Sequence, residues 1–144
     1  KRLRALLLKR FHQIGDQLTQ AVPLDPVYFE AGDEKGRPLT GKAAIEALEP
    51  FALGFLEAAQ TWPGILDTNS RAVARSLHGV LRHLPEEALG DFAQVKTILD
   101  KEAPLEDLPS ALSDMVSCLA EIAHETKGYD LPELNEPEEG EEKA

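Results

Sequence analysis

Apolar positions along the chain recur at helical spacing, in segments separated by joints rich in proline and glycine. Leu3, Leu7, Phe11, Ile14 and Leu18 predict a helix over residues 1–20, with their stripe turned towards a core. Arg10 falls on that stripe, so its stem must either carry the charge past the core edge or bring it to a partner. Between residues 41 and 60 the apolar set widens. Ile45, Leu48, Phe51, Ala52, Phe55, Leu56 and Ala59 share an arc approaching about 180°, which predicts a central helix packed on two sides. Pro50 lies off that arc and either kinks one helix or starts a second after Glu49.

Residues 70–84, SRAVARSLHGVLRHL, predict a helix with two unlike faces. Val73, Leu77, Val80, Leu81 and Leu84 form an apolar seam. Arg71, Arg75, His78 and Arg82 fall within about 60° of one another on the opposite side. Four capping-type residues, Asp67, Thr68, Asn69 and Ser70, precede it. Pro85, Glu86 and Glu87 then suit the first turn of a further helix over 86–101, with Ala88, Leu89, Phe92, Val95 and Leu99 inward. A last helix is predicted over 109–127, carrying Leu112, Met115, Val116, Leu119, Ile122, Ala123 and Thr126. It ends on Lys127 and a capping Gly128.

Between the first two helices, Pro23 and Pro26 leave an extended connector. Val27, Tyr28 and Phe29 are strand-forming types, and GDEKGRP behind them is turn chemistry. The segment near 27–39 therefore forms either a short β-hairpin, pairing 27–31 with 37–39 and needing helices beneath it, or an ordered loop. The fold class expected is all-α: a single-domain bundle of about five helices over residues 1–130, with a disordered acidic tail over 131–144.

At 144 residues the chain suits one domain with its own core, and 42% hydrophobic and 28% charged residues are ordinary for one. Cys118 is the one cysteine, so no internal disulfide forms, which fits a reducing, cytoplasmic setting. No apolar run has the length of a signal peptide or of a membrane span, and no membrane partner is expected.

Charge changes the picture more than composition does. The formal net charge is −11, yet Lys1, Arg2, Arg4, Lys9 and Arg10 crowd the start of the chain. No acidic residue occurs between Thr68 and Pro85, and the tail carries Glu133, Glu136, Glu138, Glu139, Glu141 and Glu142.

Candidate chemistry is sparse. Glu121 and His124 make one Glu-x-x-His, the spacing that di-iron bundles use twice, and both are expected to face water. His78 and His83 are out of step for one helical face, and neither an HExxH nor a cysteine cluster occurs. Cys118 and His124 point in different directions on one helix and cannot share a hydrogen bond. GDEKGRPLTGK has the wrong spacing for a nucleotide loop and reads as a surface turn. His12 and Asp16 suit an exposed pair. No catalytic residue, metal or cofactor is expected.

The stretch LDTNSRAVARSLHGVLRHL resembles a helix-turn-helix recognition helix in its polar start, inward Val and Leu, and outward arginines. The joint before it is much longer than the roughly three-to-four-residue turn of that motif. The function expected is a non-catalytic helical protein–protein interaction module, a regulator or small subunit of a larger assembly. Its contacts would be Arg2, Arg4, Lys9, Arg10, Arg71, Arg75, His78 and Arg82. The alternative is a small helical nucleic-acid-binding subunit that places the same residues on phosphates. A third reading leaves the basic face solvated, or paired within the fold with acids such as Glu46 and Glu57.

Overall fold

The computed structural model describes residues 1–61 and 64–133; Trp62, Pro63 and the acidic tail from 134 onward lie outside the described residues. The helices are α1 (Arg2–Thr19), α2 (Glu49–Thr61), α3 (Arg71–Leu81), α4 (Glu86–Leu89), α5 (Ala93–Glu102) and α6 (Leu108–Lys127). Segments Gly41–Leu48 and Gly90–Phe92 are 3₁₀-helical. Five of the α-helices have ten residues or more, and no strand occurs among the described residues. The chain is all-α.

The fold is organised on α3 lying along α6. Ser70 starts α3 by accepting a hydrogen bond from the Val73 backbone N–H at 3.3 Å. At α6, Asp107 and Ser110 form a capping box, Pro109 sits in the first turn, and Gly128 closes the helix in the left-handed region at φ 72°. The α3 seam serves two cores. Leu77, Leu81 and Leu84 pack with Ala52 of α2 and with Leu89, flanked by Phe55, Leu56 and Phe92. Val80 turns the other way, to Leu48, Ala111 and Met115. Helix α3 is thus the shared wall between both cores, and its apolar seam is buried as expected.

Close approach of α3 to α6 depends on Gly79. A Cβ built at that position would collide with Cys118 Sγ of α6. In an open helix Gly→Ala gains up to about 1 kcal/mol; here the collision opposes that gain, because Cys118 Sγ must turn out of its packed position or the two helices must part. Gly79→Ala is expected to lower unfolding stability by about 1–2 kcal/mol. Urea denaturation of Gly79→Ala and of Gly79→Ala with Cys118→Ala checks this, because removing the sulfur should restore most of the loss.

Four expectations are corrected. The first concerns residues 41–60, which pack on two sides as expected, with Ala52 and Leu56 in one core and Ile45, Leu48 and Phe51 in the other, but are not one helix. Their first half is a 3₁₀ segment, and the α-helix begins at Glu49 with Pro50 in its first turn. Eight residues is long for a 3₁₀ run, and it persists here through the buried Ala47 and Leu48, the latter seated against α6.

The second concerns residues 86–101. Gly90, at φ 54°, divides them into α4, a 3₁₀ turn and α5.

The third concerns the segment near 27–39, where the loop alternative holds and the hairpin does not, since it pairs only at its tip. Leu39 N–H donates to Ala31 O at 2.8 Å and Asp33 N–H to Arg37 O at 2.9 Å, around a single bridge of Gly32 with Pro38. Asp33 holds the turn by accepting from the Lys35 and Arg37 backbones and from Arg37 Nε. Pro38 has no N–H to extend the ladder, and Val27 and Phe29 are left exposed.

The fourth concerns α1. Its stripe does not enter a core, since none of its residues is buried. Both cores are already filled by α3 with its neighbours, so only the far end of α1 is held. Leu18 lines a small gap with Ala120 and Ala123 of α6, while Arg10 and Gln17 bind Asp25 of the connector.

Candidate functional site

The eight basic positions singled out by the sequence separate in space and in environment. On α1, Arg2, Arg4 and Lys9 are exposed. Arg10 is half-buried and meets a partner within the chain: Nη1 donates to Asp25 Oδ1 at 3.0 Å and Nη2 to Asp25 O at 2.6 Å. Hydrogen bonds from Gln17 and Arg10 hold the Asp25 carboxyl below its ordinary range.

On α3, Arg71 and Arg75 are exposed. The Arg75 guanidinium reaches Glu121 Oε2 only at 3.8 Å, an exposed pair of little energetic weight. Glu121 itself accepts a hydrogen bond from the buried Ser76 hydroxyl at 3.1 Å. It therefore lies over α3 and not out in water. The His78 ring is tilted against Phe92 with centroids 5.2 Å apart, and burial lowers its pKa. Arg82 leaves the ridge altogether. Only 5% of its side chain is exposed, and Nη2 donates to Asp100 Oδ1 at 3.0 Å and to Ala103 O at 2.9 Å.

The four-residue ridge is thus not one surface. Its lower end is covered by α5, and Arg82 caps the carbonyl end of that helix. Lys96 of α5 reaches back to Leu84 O at 2.7 Å, so the two elements each satisfy the other's terminal carbonyls. A wheel drawn on one helix cannot show a second helix lying across its face.

Helix α1 presents an apolar surface to solvent. Leu3, Leu6, Leu7 and Phe11 are 55–70% exposed, with Leu8 at 48% beside them. Arg2, Arg4 and Lys9 are interleaved with these side chains. The signal was present in the sequence as the unusual density of cations around the stripe.

Reactive groups are muted. Burial, followed by the charges of Asp114 and Glu121, pushes the Cys118 thiol up to about 11, so it stays protonated at neutral pH. Burial also raises the Asp114 pKa. His83 is pushed down to about 4, chiefly by burial and then by the charges of Arg82 and Lys96, and is neutral at pH 7. His124 Nδ1 lies 2.6 Å from Tyr129 O, beyond the end of α6. Among the described residues no group of three or more His, Cys, Asp or Glu is placed to hold a metal ion. No described helix is long and apolar enough to cross a membrane.

Fold and surface together define a class: a small all-α domain with a projecting amphipathic, basic helix. No protein-family model, curated protein or solved structure matches the chain.

Proposed function

We propose that this protein is a non-catalytic interaction module, a regulator or small subunit of a larger cytoplasmic assembly. On this reading it docks α1 into an apolar groove rimmed by carboxylates on a protein partner. One observation supports the reading above the others: Leu3, Leu6, Leu7 and Phe11 stand exposed on a single helix amid Arg2, Arg4 and Lys9. A contiguous exposed apolar patch of this kind is costly unless something covers it. An amphipathic helix with anchors at i, i+4 and i+8 suits the helix-in-groove mode of recognition. The charges select the rim, since opposite charge on the partner speeds encounter and fixes register. Arg71 and Arg75 supply a secondary contact of the same sign.

A phosphate backbone suits the surface less well. It would meet the cations but leave the leucines and Phe11 in water, and Arg82 is not available to it.

The test is affinity capture from nuclease-treated extract with the wild-type chain, Leu7→Asp, Phe11→Asp and the triple reversal of Arg2, Arg4 and Lys9 to Glu. The expected result is a stoichiometric protein that survives nuclease, weakens with salt, and is lost with all three variants, each still helical by circular dichroism. Recovery unchanged by Leu7→Asp, or loss on nuclease treatment, overturns the reading. So does concentration-dependent self-association, or binding to anionic vesicles, that is abolished by Leu7→Asp.

A further inference from the structure

The covered end of the ridge opens onto a cleft of about 220 Å³ between the Gly41–Leu48 segment, the end of α3 and α5. Lys42, Arg82, His83 and Lys96 converge on it, with Glu46 and Asp100 as the acidic members of its wall. The nitrogen groups exceed what the protein uses. Among the described residues Arg82 bonds only through Nη2, which leaves Nε and Nη1 as donors. Lys96 spends one of its three N–H groups, on Leu84 O, and among the described residues Lys42 makes neither a hydrogen bond nor an ion pair. The buried Nε2 of His83 has no hydrogen-bond partner among the described residues.

A fixed arginine beside two underused lysines is the usual chemistry for recognising an oxyanion. We infer that this cleft binds the phosphoryl group of a small, free phosphate. The lysines and Arg82 would donate to its oxygens. Three cations against two carboxylates leave the wall mildly positive, enough for one phosphate group but not for a polyanion. Recession argues against a polymer as the source, because the Arg82 side chain is only 5% exposed. This site is separate from α1, and its fate does not depend on the docking proposal.

The experiment is ¹H–¹⁵N NMR of the full chain at pH 7, titrating inorganic phosphate against chloride at constant ionic strength. Saturable shifts confined to His83, Lys96 and the adjoining 3₁₀ segment are expected, half-complete in the millimolar range. Glycerol phosphate should move the same signals, and a short phosphodiester RNA should not. Lys42→Met, which removes an exposed side chain without a partner, should weaken binding about tenfold. Glu46→Gln should tighten it severalfold by removing a like charge, and Arg71→Met should leave it unchanged. Overturning results would be a linear drift shared with chloride, an equal response to the RNA, or titrations indifferent to both Lys42→Met and Glu46→Gln.

Discussion

Replacing Leu81 by alanine is expected to lower the unfolding free energy by about 3–5 kcal/mol, and replacing Leu7 by alanine to change it by less than about 0.5 kcal/mol. Both leucines lie on apolar stripes of helical period, and the sequence alone does not separate them. Leu81 is 1% exposed, in the cluster that joins α3 to Ala52, Leu84 and Leu89. Truncating it removes apolar area from that cluster and leaves a cavity that the neighbouring helices cannot close without moving. Leu7 is 63% exposed on a helix none of whose residues is buried. Removing it takes away surface that is already wet. Urea denaturation of both variants, with equal m-values, checks the contrast. A Leu7→Ala loss comparable to that of Leu81→Ala would show that α1 folds back onto the domain. It would also remove the support for α1 as the docking element.

Arg82→Ala is expected to cost about 2–3 kcal/mol, against no more than about 0.5 kcal/mol for Arg75→Ala. These residues are two turns apart and were expected on one basic face. Asp100 is about half-exposed, so it regains water when its partner goes, and the loss falls short of that for a fully buried ion pair. What remains is the loss of the charged bond to Ala103 O and of the packing of the arginine stem between α3 and α5. Arg82→Lys should recover only part of it, because its ammonium sits on a shorter side chain than Nη2 and is more strongly hydrated, hence costlier to bury, than a guanidinium. Thermal unfolding of the three variants against wild type measures the differences. Equal midpoints for Arg82→Ala and Arg75→Ala would mean that α5 does not cover the end of the ridge.

These pairs show how far the pattern of the chain carries. The inner face of α3 was legible in full, because Val73, Leu77, Val80, Leu81 and Leu84 keep strict spacing and the polar run ending at Ser70 supplies a cap. The ends of α6 were legible to within a residue, from Pro109 and from Lys127 with Gly128, while the Asp107 cap came only with the structure. The 3₁₀ form of Gly41–Leu48 was not, since its apolar spacing also suits an α-helix and only packing on α6 distinguishes them. Glu121 was expected in water because its own helix turns it from the seam. Ser76 on the neighbouring helix brings it a donor. The cleft was out of reach for the same reason: Lys42, Arg82 and Lys96 come from three separate elements.

Local spacing, capping residues and proline placement are properties of consecutive residues, so the sequence by itself determined that the protein is all-α and where most of its helices begin and end. It also determined that α3 carries a seam and that cations gather at the start of the chain. Which stripes are buried depends on which helices reach the core, and that is a competition between distant segments. Tertiary structure decided it in favour of α3 against α6, held close by Gly79 beside Cys118. The same packing left the leucines of α1 in solvent and drew Arg82 out of the ridge into the wall of a cleft.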